Sequence, residues 1–250
     1  MASPPDFKLF TSLRYDPLLL NLPANTELWE TPPPSSSPFY ILPYHRDRMI
    51  QAADNFGWTV AADRIRGPEG FAFFLDMLNE AVDTQSSSPL KIRTILSHDG
   101  TIVIETSPAT EVTQWNLFPA RLPPPRGEGE PNVSSLTGGL CTSGENDPIH
   151  GDPSTQNPWT VIVDTVRTKP SAYTSYKTTS RDVYSEARTH VGIKDFSEKR
   201  EVLIISQKDG EIMEGSLTSV YFWREGKWVT PSVASGGNIG TSRRLALKEG

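Results

Sequence analysis

The sequence predicts an α+β fold built as two modules, residues 1–122 and 159–250, separated by a Pro/Gly/Ser-rich segment, 123–158. Three observations carry this. The first half mixes short apolar runs of strand character with two stretches of helical spacing. The second half is dominated by short β-branched runs separated by turn residues. Between them the composition changes: Pro123-Pro124-Pro125 opens a stretch rich in Pro, Gly, Ser and Asn with almost no apolar periodicity, the pattern of a linker or long insertion.

The elements follow in chain order. Leu9 to Arg14 reads as a short strand that Asp16-Pro17 ends. Thr31 to Pro38 is loop. His45 to Trp58 has helical spacing, with Met49, Ala52, Ala53 and Phe56 on one face, and Gly70 to Val82 repeats the pattern with Phe71, Phe74, Leu75 and Leu78. Ile92–Leu96 and Ile102–Glu105 flank His98-Asp99-Gly100, a hairpin signal. After the linker, Val161, Ile162 and Val163 predict a buried strand, Arg181 to Thr189 a helix, and Val202 to Ser206 a strand that turns at Lys208-Asp209-Gly210. Val220–Trp223 and Trp228–Thr230 make a hairpin around Glu225-Gly226, and a helical tail follows Gly240.

Composition removes several classes of function. A net charge of -6 argues against a nucleic-acid-binding surface, which would be basic. The single cysteine, Cys141, excludes an intrachain disulfide. No apolar run approaches the roughly 20 residues that span a bilayer, and Met1 to Asp6 has no basic segment leading into an apolar core. A soluble, cytoplasmic protein with no membrane or metal centre is the expectation.

The chemistry-bearing residues fall at strand ends and turns. Lys177 sits in Tyr173-Thr174-Ser175-Tyr176-Lys177-Thr178-Thr179-Ser180-Arg181, flanked by aromatic and hydroxyl groups rather than by charges. As a lone lysine it reads more readily as a solvated cation than as a catalytic group; buried, its pKa would fall toward that of a usable amine nucleophile. Glu214 opens Glu214-Gly215-Ser216-Leu217-Thr218-Ser219, where a carboxylate can also be a simple polar cap. Gly236-Gly237-Asn238-Ile239-Gly240-Thr241-Ser242-Arg243 runs into a helix, and glycines with small hydroxyl residues at a helix N-terminus can cradle a phosphate through free N–H groups and the helix dipole.

Taken in order, these motifs resemble the class-IV aminotransferase family, the pyridoxal 5'-phosphate (PLP) enzymes of fold type IV. Within it, YTSYKTTSRDVYSEAR is similar to the corresponding stretch of fungal 4-amino-4-deoxychorismate lyases, and Leu13-Arg14-Tyr15-Asp16-Pro17 to their N-terminal strand. The resemblance is strongest from Trp159 to Arg243.

The resemblance implies a two-domain fold like that of D-amino-acid aminotransferase, with PLP between the domains. Lys177 would carry the cofactor and act as the catalytic base. Glu214 would pair with its pyridine nitrogen. Thr241, Ser242 and Arg48, the last in His45-Arg46-Asp47-Arg48-Met49, would hold its phosphate, leaving Arg46 as an ordinary surface charge. The implied reaction is elimination from 4-amino-4-deoxychorismate to give 4-aminobenzoate and pyruvate for folate synthesis, by a homodimer. A transaminase on the same fold, or a non-catalytic relative, shares the same marks. Two departures are noted. Asn238 stands where the family has a leucine against the ring. The family also continues for several dozen residues past its Gly-Thr-Ser-Arg helix, so a truncated C-terminal domain, lacking strands and one phosphate-binding hydroxyl, is expected.

Overall fold

The structure is a computed structural model and describes residues 5–29, 36–118, 132–133, 140–141 and 159–249. The chain forms two compact units. One comprises Met1–Gln114, Tyr176–Ser180 and Arg243–Gly250; the other comprises Trp115–Ser175 and Arg181–Ser242. The sequence-based division cuts the chain once on either side of the linker. Contact instead groups Tyr176–Ser180 and Arg243–Gly250 with the N-terminal residues.

In the first unit, β1 (Leu9–Tyr15) begins a three-stranded antiparallel sheet. A single turn, α1 (Pro23–Thr26), is followed by α2 (Leu42–Asn55), α3 (Thr59–Ile65) and α4 (Gly67–Glu80). The hairpin of β2 (Leu90–Leu96) and β3 (Ile102–Pro108) completes the sheet in the order β1-β2-β3. Gly100 supplies the positive φ its turn needs, at 84°. The register runs from Leu9 opposite Leu96 to Tyr15 opposite Leu90. Strand alternation puts Leu9, Thr11, Leu13 and Tyr15 on one face of β1, and all four are buried.

Both long helices start three residues before the apolar periodicity suggests. Pro43 and Pro68 occupy the first turns, where a missing N–H costs nothing and the fixed φ is already helical. Gly57, at φ 70°, ends the first of these stretches, and residues 59–65 form a separate helix, α3, for which the sequence spacing gives no signal. Asn25 secures the approach to α2: its buried amide donates to the carbonyls of Ser37 and Phe39 and accepts from the Ile41 N–H at 2.9 Å.

The core of this unit joins Leu9, Leu13, Phe39, Met49, Phe74, Leu78, Ile92 and Leu96. Phe74 is fully buried within it. Phe74→Ala is therefore expected to destabilise the chain by about 3–5 kcal/mol, the sum of lost transfer energy and a residual cavity. Urea unfolding of the two proteins reads that difference directly.

The second unit begins within α5 (Gln114–Leu117), at Trp115. Of the linker, the described residues are β4 (Asn132–Val133) and β5 (Leu140–Cys141), a short antiparallel pair; the rest of 123–158 lies outside the described residues. The main sheet is β6 (Thr160–Thr168), β7 (Arg200–Ser206) and β8 (Ile212–Gly215), with β6 parallel to β7 and β7 antiparallel to β8. The β6–β7 connection carries α6 (Ala172–Ser175) and α7 (Asp182–His190), and α7 packs on both strands. Tyr184, Ala187, Ile193, Val202, Ile204 and Met213 form the core.

One strand departs from expectation. Val161 and Val163 are 57% and 53% exposed, so β6 is not the buried strand its apolar run suggests. It is an edge strand of this sheet, and its buried side chain is Asp164. The hairpin around Glu225-Gly226 forms as β9 (Phe222–Arg224) and β10 (Lys227–Val229), with both turn residues at positive φ. The last helix is α8 (Thr241–Glu249).

Candidate active site

Lys177 is placed by backbone hydrogen bonding along the outer edge of β1. Phe10 N donates to Lys177 O at 2.9 Å, Thr179 N donates to Lys8 O at 2.8 Å, and Leu9 and Thr178 form an antiparallel bridge. The hydroxyls beside the lysine take part: Thr179 Oγ1 accepts from Lys8 N and Thr178 Oγ1 donates to the Ser180 carbonyl. Lys177 is half-buried, with Nζ 5.2 Å from the centre of the Phe10 ring.

The same unit holds Arg48, on α2. It is buried, and burial lowers its pKa to about 10. Among the described residues no carboxylate pairs with it, and its Nε has no hydrogen-bond partner. Its Nη2 donates to Thr11 Oγ1 at 2.6 Å, and Thr11 Oγ1 lies 2.7 Å from His45 Nδ1. His45 is held well below its usual pKa, first by burial and then by the positive charges of Arg48 and Lys177. Arg48, Thr11 and His45 thus form a buried polar island, in which no carboxylate pairs with Arg48 among the described residues.

That depressed histidine has a consequence for stability. Above the ordinary histidine value His45 is neutral whether folded or unfolded. Below it the unfolded chain takes up a proton that the folded chain refuses, so this contribution to stability is present above about pH 6.5 and is lost as pH falls through that value. The ligand-free chain should lose stability on acidification with a slope of up to about one proton. His45→Gln should flatten that slope, as chemical unfolding between pH 7.5 and 5.5 would report.

In the second unit Glu214 lies on β8, opposite Ile204. Tyr184 Oη, on α7, is 2.6 Å from Glu214 Oε1 and 3.0 Å from the Thr174 carbonyl. Burial, and then the Glu214 charge, raise the tyrosine pKa far above its usual value, so the phenol remains a donor. Arg181 lies over the Tyr184 ring at 3.6 Å.

The turn after Glu214 is fixed by a second, buried carboxylate. Glu201 accepts from the N–H groups of Ser216 and Leu217 and from the hydroxyls of Ser216 and Thr218, at 2.6–3.1 Å. A Cβ on Gly215 would stand 2.9 Å from Glu201 Oε2, which explains a glycine directly after Glu214.

The glycine-rich turn forms where expected. Thr174 Oγ1 donates to the Gly236 carbonyl at 2.6 Å and Ile239 N to the Ser175 carbonyl at 3.0 Å. Gly236 has φ 88°, and a Cβ on Gly237 would collide with the Met213 carbonyl. Thr241, buried, and Ser242, half-buried, open α8. Arg48 and Lys177 thus belong to one unit, and Glu214, Thr241 and Ser242 to the other. Arg46 is not the exposed charge expected of it. Its side chain is 15% exposed and its guanidinium lies 4.5 Å over the Phe71 ring, because α2 turns that face toward α4.

The profile of the family described as amino-transferase class IV matches residues 34–250. The chain belongs to that family. Among class IV relatives, the aminodeoxychorismate lyase of Saccharomyces cerevisiae is 36% identical over 106 residues, a match covering 37% of this chain and 28% of the yeast protein. A Schizosaccharomyces pombe protein provisionally named aminodeoxychorismate lyase is 23% identical over 215 residues, covering 84% of this chain and 69% of its own length. The chain thus matches well under a third of the first of these relatives. Solved structures share the fold. A provisionally named amino-acid aminotransferase from Mesorhizobium loti aligns with a TM-score of 0.58 at 20% identity, over 98% of this chain and 84% of that one. The PLP-bound form of a hypothetical aminotransferase from Mycobacterium tuberculosis gives 0.54 at 12%, over 96% and 66%.

The sequence singled out Arg48, Lys177, Glu214, Thr241 and Ser242 as candidates. Three partners were missed as contributors: Thr11, His45 and Tyr184. A signal for Thr11 was available, since it is the polar member of the inward-facing set Leu9, Thr11, Leu13, Tyr15. His45 and Tyr184 lay inside quoted motifs, but only the fold gives them their neighbours. Among the described residues no helix is long and apolar enough to cross a membrane.

Proposed function

We propose that the chain is a PLP-dependent lyase that converts 4-amino-4-deoxychorismate to 4-aminobenzoate and pyruvate, a step of folate synthesis. The observation that carries the cofactor assignment is Arg48: a buried cation with no carboxylate partner among the described residues and an unpartnered Nε, beside His45 and in the same unit as Lys177. Such an island is incomplete without an anion, and a phosphate fits it. The choice of lyase is supported by the names of the two yeast relatives and by the YTSYKTTSRDVYSEAR stretch.

In this reading Arg48, Thr241 and Ser242 hold the phosphate, the last two through the N-terminus of α8. Glu214, kept in place by the Tyr184 phenol, would face the pyridine nitrogen and favour its protonated form. Lys177 would hold the cofactor through Nζ and would hold and move a proton at that atom as general base. When bound, the cofactor supplies a cationic conjugated ring that accepts electrons from the substrate. A homodimer is taken as the working form, closed twofold dimers being the commonest assembly; an active chain that sediments as a monomer would count against it.

The test is to titrate PLP into the purified chain and follow 4-aminobenzoate release by fluorescence, with parallel incubations of alanine or a branched-chain amino acid plus a keto acid. Release of 4-aminobenzoate supports the lyase. Amino transfer without it assigns the chain to the transaminases, and absence of PLP binding removes the enzyme reading.

A further inference from the structure

We propose that Thr11 is the positioning residue for the phosphate-binding arginine, acting by holding the Arg48 guanidinium in one orientation through its hydroxyl; the inference rests on the PLP reading above. The argument starts from strand alternation. Position 11 faces inward between Leu9 and Leu13, where an apolar residue would pack without cost, yet it carries a fully buried hydroxyl. Opposite it on β2 stands Thr94, also fully buried, whose Oγ1 has no partner among the described residues. Burying a hydroxyl is unfavourable unless it is hydrogen-bonded, so the Thr11 hydroxyl is stabilised by what it binds.

It has two neighbours. Arg48 can only donate, so Thr11 Oγ1 accepts from Nη2 at 2.6 Å. The hydroxyl proton is then free to point at His45 Nδ1, 2.7 Å away. This arrangement would put the histidine proton on Nε2 and uses both a lone pair and the proton of the Thr11 hydroxyl. The alternative, Nδ1–H donating to Thr11, would leave the buried hydroxyl proton unused. Arg48, Thr11 and His45 therefore form a directed chain from α2 to β1 and back to α2, since His45 and Arg48 are one helical turn apart on the same face. With Nη2 held by Thr11, rotation of the guanidinium plane is restricted, and its Nε is left without a hydrogen-bond partner among the described residues. An arginine with the same charge but a free torsion would have to lose that freedom on binding.

The effect belongs to the phosphate, not to the ring, and this makes it testable. Thr11→Val keeps the shape and removes the hydroxyl. Thr11→Ala removes it without β-branching, should valine disturb folding. Thr11→Ser retains it. Each full-length protein is titrated with PLP and with pyridoxal, which lacks the phosphate, followed by absorbance and by borohydride trapping. The hydroxyl-free variants should bind PLP roughly 10- to 100-fold more weakly, as expected for one lost charge-assisted hydrogen bond, with pyridoxal affinity unchanged and Thr11→Ser close to the parent. Equal weakening toward PLP and pyridoxal would make Thr11 a merely structural residue and overturn the proposal, as would hydroxyl-free variants that bind PLP like the parent. A parent chain that binds neither compound overturns the cofactor reading itself, and this inference with it.

Discussion

Lys177→Ala should abolish turnover, with a loss of at least about three orders of magnitude, because it removes both the amine that binds the cofactor and the general base. Stability should change little. The segment is held on β1 through the Lys177 carbonyl and through Thr178 and Thr179, none of which the substitution touches. Borohydride reduction followed by peptide mapping should find the pyridoxyl label on Lys177 in the parent and nowhere in the variant. Covalent label on another lysine of Lys177→Ala would refute the assignment. Retained affinity for free PLP in the variant is expected, since Arg48 and the α8 N-terminus remain.

Glu214→Gln should lower turnover by about two to three orders of magnitude, the range seen when a fixed electrostatic partner of a reacting system is removed, while PLP stays bound. An amide can still accept a hydrogen bond but cannot stabilise a protonated pyridine nitrogen as a carboxylate does. The substitution also weakens the contact with Tyr184, whose phenol can still donate to an amide oxygen, so the fold of this region should persist. The split between binding and turnover is the diagnostic. If kcat is unchanged, Glu214 is only the polar cap that its position before a turn allowed. If PLP binding is lost with it, Glu214 is structural.

What could be read from sequence follows the physics of local pattern. Hairpins at Gly100 and at Glu225-Gly226 were readable because their turns need positive φ, a property of one or two residues. The helices around Met49 and Phe74 were readable from apolar spacing, but their starts were not, because Pro43 and Pro68 lie outside that spacing. The exposure of Val161 and Val163 was hidden, since an apolar run records composition and not which edge of a sheet the strand will occupy. Lys177, Glu214, Thr241 and Ser242 stood out as candidates because each sits in a short distinctive motif. Thr11 and Tyr184 did not stand out, because a threonine in a strand and a tyrosine in a helix are ordinary until the fold brings Arg48 and Glu214 to them.

The pairing of Lys177 with β1 bears on how the protein is made. Lys8 and Thr179, hydrogen-bonded to one another, are 171 residues apart in the chain. During synthesis the first strand leaves the ribosome early, and its outer edge must wait until the chain has grown past Thr179 before the lysine segment can cover it. An open strand edge is a template for wrong pairing, and closing so long a loop is slow compared with local folding. The lysine segment therefore joins its unit only after a long stretch of chain has been made, and its docking depends on the β1 edge having stayed unpaired until then. A change to β1 acts directly on the backbone that holds Lys177, although the hydrogen-bonded Lys8 and Thr179 are far apart in sequence.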